Sequence, residues 1–125
     1  MSSREPAIRI HRIHDGPAPG GGMRVLVDRL WPRGITKERA GAQLWLKEVA
    51  PSTALRKWFG HDPARWDEFR RRYRAELDDN ADAVERLLEI ARRAPLTLLY
   101  SARDEDHNQA VVLAGYLRER LEKES

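Results

Sequence analysis

Two short apolar runs, each breaking at once into a dense polar segment, constrain the fold of this chain more than any other feature. Residues 24–28 (RVLVD) and 96–100 (LTLLY) read as short buried strands. The segments that follow, VDRLWPRG from Val27 to Gly34 and YSARDEDHN from Tyr100 to Asn108, concentrate Asp, Arg, Ser and His. In an open α/β sheet ligands lie beyond the carboxyl ends of the strands, so two strand ends of this kind point to one shared pocket. The expected fold is α/β: a single compact domain over residues 1–125, with a mainly parallel sheet of three to five strands flanked by helices.

The length agrees, since 125 residues bury a real core and leave no room for a second domain. The 23 Lys and Arg against 20 Asp and Glu leave a formal charge of only +3, which does not by itself mark a nucleic-acid-binding surface. No cysteine is present, which removes disulfides, thiolate metal sites and cysteine nucleophiles together and suits a reducing cytosol. The amino terminus, MSSREPAIRIHRIHDG, has no apolar signal-peptide core, and no apolar run approaches membrane-spanning length. A cytoplasmic location without a membrane partner is expected.

Along the chain, the alternation of Ile8 and Ile10 with Arg9 and His11 predicts a half-exposed strand over Ala7 to Ile13. Asp15 to Gly22, with two prolines and four glycines, is a loop, a plain connection in preference to a lid over a neighbouring site. Thr36 caps a short helix to about Ala42, and Gln43 to Val49 fits a brief strand or an extended segment. Pro51 and Ser52 start a helix carrying Leu55, Trp58 and Phe59, which Gly60 ends. Asp62 and Pro63 supply the cap and first position of the next, where Trp66, Phe69, Tyr73 and Leu77 share one apolar stripe. Asn80 caps a helix bearing Val84, Leu87, Leu88 and Ala91, and Pro95 marks its exit. Asp104 or Asp106 caps a last helix with Val112, Leu113, Leu117 and Leu121.

The segment after residue 100 carries the sharper chemical signal, because strand, polar turn and capped helix in succession present backbone N–H groups to an anion. Arg103 adds a planar cation suited to phosphate or carboxylate, and His107 is the residue type that moves protons near neutral pH. The bland alternative is a capping Asp104 or Asp106, a Ser101 bonded to the loop and an exposed His107. Asp28 emerges at the end of a buried strand and needs a partner; Arg29 or Arg33 is that partner or reaches a ligand, while Pro32 and Gly34 stiffen the turn. Trp31 reads as a packing residue before a stacking platform. A Ser101, His107 and Asp28 triad can be assembled on paper, but no spacing demonstrates it.

Residues 65–77 (RWDEFRRRYRAEL) interleave five arginines with aromatics, a pattern that also suits nucleic acid. Helical geometry argues instead for aromatics on the core stripe and outer i,i+4 pairs of Asp67 with Arg71, Glu68 with Arg72 and Arg74 with Asp78. His11, His14, His61 and His107 form no spaced metal motif, so no metal is expected; no dinucleotide or P-loop glycine motif follows a strand, and no cofactor is named by the residues.

The segments VDRLWPRGITKE, WLKEVAPSTALRKWFGHDPARWDEFRRRY and LLYSARDEDHNQAVVLAGYL together resemble the DUF488 family, in its short YeaO-like branch, over nearly the whole chain. The resemblance implies a compact α/β domain and gives weight to Asp28, Arg29, Pro32, Arg33, Gly34, Asp104, His107 and Asn108 as shared positions. It brings no defined activity with it. Cysteines that it implies for longer relatives, at places matching Tyr100 and Asn108, are missing here, so rhodanese-like sulfur transfer, which needs a thiolate nucleophile, is excluded. A transcriptional-regulator role is not expected either, because no helix pair shows a short turn with a basic, outward recognition face.

Two functions of different classes follow. The first is a pocket for a small anion, phosphate- or nucleotide-like, built from Arg29, Arg33, Ser101, Arg103, His107, Asn108 and the amino end of the last helix. In its hydrolytic form, acting on a phosphorylated small molecule, Asp28 or Asp104 orients or deprotonates water and His107 serves as acid or base. The second is a non-catalytic module that binds nucleic acid or a partner protein. Oligomeric state does not follow from the residues.

Overall fold

In this computed structural model, which describes residues 8–124, the LTLLY run is the strand on which the sheet is assembled. Four strands, β1 (Ile8–Arg12), β2 (Met23–Leu26), β3 (Leu44–Trp45) and β4 (Leu96–Tyr100), lie in the order β1-β4-β2-β3, and every pairing is parallel. All five residues of β4 are buried, as a strand with neighbours on both edges and layers on both faces requires. Its side chains alternate: Leu96, Leu98 and Tyr100 face the main core, while Leu99 joins Ile13, Leu26 and Ala40 in a thinner cluster on the opposite face.

The main face is covered by α2 (Thr53–Phe59), α3 (Trp66–Asp78), α4 (Ala81–Arg93) and α5 (Gln109–Glu124), with α5 against β1 and β4 and α3 against α5. The short α1 (Lys37–Ala40) lies on the other side. Phe69, Tyr73 and Leu77 are buried on the α3 stripe, as expected, whereas Trp66 is only half-buried at its start. The Tyr73 hydroxyl donates to the Val49 carbonyl at 2.6 Å, which satisfies it in an interior where burial pushes its pKa well up.

Local chemistry explains most boundaries. Thr36 and Ser52 accept from the backbone N–H of Arg39 and Leu55, and Gly41 and Gly60 end their helices in the left-handed conformation. Asp62 caps a 3₁₀ turn at Pro63–Arg65 that precedes α3, and Gln43 to Val49 divides into β3 and a 3₁₀ turn at Lys47–Val49. Two capping expectations are corrected. Asn80 makes no cap bond, because its amide is drawn to the Glu48 carbonyl at 2.7 Å. The last helix is capped by Asn108, whose Oδ1 accepts from Ala110 and Val111 N–H, and not by Asp104 or Asp106. The first strand ends at Arg12, one residue early, because Ile13 turns into a 3₁₀ helix; Ala7 lies outside the described residues. Among the described residues no helix is long and apolar enough to cross a membrane.

The loop from residue 15 to 22 leads from the end of β1 to the opposite end of the sheet, where Met23 N–H bonds the Pro95 carbonyl at 2.9 Å, and none of it lines the cleft described below. It is a connection, not a lid. Gly22 makes the approach possible: its φ is +98°, and a Cβ there would stand 2.2 Å from the Pro95 oxygen. Gly22→Ala is expected to destabilise the fold by at least about 2 kcal/mol, since a left-handed φ and a backbone collision act together. Gly21→Ala, with nothing within 4 Å, should stay within about 0.5 kcal/mol. Denaturant melts of the two variants check this, and equal midpoints would refute it.

Candidate functional site

Because β2 and β4 are parallel neighbours, the chain leaves both at the same edge of the sheet. The ladder runs one step past β2, with Val27 N–H on the Leu99 carbonyl at 3.0 Å, and the next side chains meet. The Ser101 hydroxyl donates to Asp28 Oδ2, and Gln109 Nε2, from the first turn of α5, donates to Oδ1 at 2.6 Å. The Ser101 backbone N–H also bonds the carboxylate. Asp28 is thus held by neutral donors. Neither Arg29 nor Arg33 pairs with it, contrary to one sequence expectation: Arg29 turns to the Ala50 and Pro51 carbonyls at 3.1 and 3.0 Å and fastens the approach to α2. Burial pushes the Asp28 carboxyl above its ordinary value, against the lowering effect of the Ser101 and Gln109 hydrogen bonds.

The two polar segments form one cleft of about 730 Å³, in which Asp28 and Arg29 face Ser101, Arg103 and His107. The shared pocket expected from the strand ends is present. Its first wall is stiff, with Trp31 Nε1 on the Ile35 carbonyl at 2.6 Å, Pro32 buried and Gly34 at φ +79°. In the second, Asp104 Oδ1 accepts from Asp106 and His107 N–H at 2.9 and 3.1 Å, and Oδ2 lies 2.9 Å from His107 Nδ1. The His107 bond, ahead of these backbone donors, holds the Asp104 carboxyl below its ordinary value. Pairing through Nδ1 leaves Nε2 as the histidine nitrogen open to a ligand. The ring packs edge-on against Trp66 at 5.1 Å.

Three further points alter the expected chemistry. Asn108 lines the cleft but is buried, spending its side chain on the α5 cap and on the Asp104 carbonyl. The Ala110 and Val111 N–H groups at the head of α5 are therefore taken by Asn108 and those of Asp106 and His107 in the preceding turn by Asp104, so the helix terminus offers an anion less than the sequence suggested. Ser101, His107 and Asp28 are not chained as a triad either: the serine gives its proton to Asp28, and the histidine has a different carboxylate.

Sequence reasoning missed Gln109, Arg56 and His61 as cleft residues. Arg56 projects from α2, and the left-handed pair Gly60 and His61, φ +55° and +57°, turns the chain so that the His61 ring lies beside Phe59. A non-glycine residue in that conformation after a helix-ending glycine is invisible to periodicity. Among the described residues no group of three or more metal-binding side chains is assembled.

Comparison with known proteins gives the chain a family. A family model described as the inactive DUF488-N3 subclade matches residues 7–125. The chain is similar to the uncharacterized protein YeaO of Escherichia coli, 46% identical over 111 residues that cover 89% of this chain and 96% of YeaO. It is similar also to uncharacterized proteins of Mycobacterium bovis and Mycobacterium tuberculosis, each 42% identical over 117 residues, 94% of this chain and 98% of theirs. No solved structure matches it.

The raised pKa of Asp28 sets a pH dependence. A carboxyl raised on folding adds stability below its ordinary value of 3.8, and that contribution is lost as pH rises through the folded value. Asp104, Glu68 and Glu124, all lowered, act in the opposite sense. On going from pH 7 towards pH 4, Asp28→Asn should therefore lose more melting temperature than the wild type. A difference between the two that stays flat with pH would show that Asp28 bears no burial cost.

Proposed function

Because the chain belongs to the DUF488 family, in the subclade its family model describes as inactive, we propose that the cleft binds a small phosphate- or nucleotide-like anion without turning it over. One contrast carries the reading. Each of the five arginines from Arg65 to Arg74 has a carboxylate partner, in Asp62, Asp67, Glu68 or Glu119. The guanidiniums of Arg33, Arg56 and Arg103, which line the cleft, have no protein partner among the described residues. Three guanidiniums from three separate segments, converging on one concavity with their bonding capacity unspent, suit an oxyanion that accepts forked hydrogen bonds. The volume also falls in the range of small-molecule sites.

The same pairing weighs against nucleic acid, since the α3 arginines that suggested it are neutralised on their own helix or by α5. Hydrolysis of a phosphorylated small molecule is the second reading, supported by the Asp104–His107 pair, in which His107 Nε2 would serve as acid or base and Asp28 or Asp104 would orient water. The subclade's description as inactive favours binding alone over this reading.

Thermal shift with inorganic phosphate, sugar phosphates, nucleotides and carboxylates tests the proposal. Saturable stabilisation by a phosphorylated anion is expected. Arg33→Ala or Arg103→Ala should weaken that binding about tenfold while changing intrinsic stability by no more than about 0.5 kcal/mol. A large melting loss with an unchanged anion response would make these arginines structural. Heparin retention that falls steeply with salt, with no small-anion response, would favour the nucleic-acid or partner-protein module instead.

A further inference from the structure

Resting on the anion reading of the cleft, we infer that the ligand is a phosphate ester with hydroxyl donors on its body, of the nucleoside phosphate kind. Its phosphate lies among the arginines and its hydroxyls reach the Asp28 floor. The cleft is polarised in a way that selects such a molecule. Arg33, from the turn after β2, Arg56, from α2, and Arg103, from the turn after β4, are exposed and present only donors.

The floor is opposite in kind. The Ser101 hydroxyl proton and one Gln109 amide proton are spent on Asp28, so the capacity that remains there is mostly for accepting: Gln109 Oε1, the Ser101 lone pairs and what is left of the carboxylate. Gln109 Oε1 has no protein partner among the described residues, and no buried side-chain polar atom among them lacks one, so this oxygen is not fully buried. A bare phosphate would satisfy the arginines and set its own oxygens against acceptors at the floor. An ester with a sugar diol satisfies both ends, and a carboxylate close to a strand end accepting from a ribose hydroxyl is a geometry that open α/β sheets provide.

The third observation is apolar. Leu30 is 63% exposed, one of two large hydrophobic residues left exposed among those described, and it lines the cleft together with Pro32 and Phe59. Trp31 beside it is fixed by its bond to Ile35 and by edge-on packing against Trp45 at 5.4 Å. A rigid apolar wall at the mouth of a polar cleft gives a base ring a face to cover, which a sugar phosphate alone would leave wet.

Isothermal titration calorimetry of the full chain decides this, with inorganic phosphate, ribose 5-phosphate, the ribonucleoside 5′-monophosphates and their 2′,3′-dideoxy counterparts as probes. At least one ribonucleotide should bind about tenfold more tightly than inorganic phosphate, ribose 5-phosphate and its own dideoxy form. Leu30→Ser, at an exposed position, should reduce the affinity for that nucleotide and leave inorganic phosphate unchanged, and Asp28→Asn should bring the ribo and dideoxy forms close together. Ribose 5-phosphate binding as tightly as every nucleotide, with Leu30→Ser neutral, would overturn the nucleoside assignment. Inorganic phosphate matching every ester would overturn the whole inference while the anion site stands, and no binding by any probe would remove both.

Discussion

Parallel hydrogen bonding of β2 to β4 delivers both chains to the same edge of the sheet, in a register that keeps Val27 on Leu99 and brings Asp28 against Ser101. Everything at the site follows from that meeting. The β4 segment must be apolar on both faces to sit between β1 and β2, and the polar groups that it cannot carry appear at once when it ends. Gly22 permits the close start of β2 beside Pro95, at the far end of the same ladder, so the register is pinned before the site begins. Parallel strand ends of this kind are where open α/β sheets place ligands, and here the neighbouring connections fill in the remaining walls.

The charges are distributed unevenly. Many cations on the outer faces of α3, α4 and α5 are paired: Arg71 and Arg72 with Glu68, Arg74 with Glu119, and Arg92 with Glu85 and Glu124. Such exposed pairs add little stability, but they remove those cations from competition for a ligand. At the cleft the reverse holds. The carboxylates are committed, Asp28 to Ser101 and Gln109 and Asp104 to His107 and the turn backbone, while the guanidiniums of Arg33, Arg56 and Arg103 are left open. A protein with a small net charge in this way still presents three open guanidiniums to one concavity.

The sheet and the convergence of the two polar segments were legible because they rest on burial. Apolar runs that end abruptly mark strand ends, and the α3 stripe follows from 3.6-residue periodicity. What was not legible depends on competition between near-equivalent groups or on contacts far along the chain. Asp104, Asp106 and Asn108 all suit a helix cap, and only the three-dimensional turn selects Asn108, with Asp104 capping the turn before it. Arg29 looks identical to Arg33 in sequence, yet carbonyls 21 and 22 residues onward claim it. The Asp28 partner Gln109 lies 81 residues away, and nothing in the local pattern announces it. His61 enters the cleft through a left-handed turn that no hydrophobic period encodes.

Side-chain NMR of the arginine Nε–H groups during titration with a phosphorylated ligand tests the central claim most directly, because it reads each guanidinium separately. Saturable shifts confined to Arg33, Arg56 and Arg103, with Arg70, Arg71 and Arg72 unmoved, are the predicted result. Shifts spread over the α3 arginines, or none at the cleft, would contradict it.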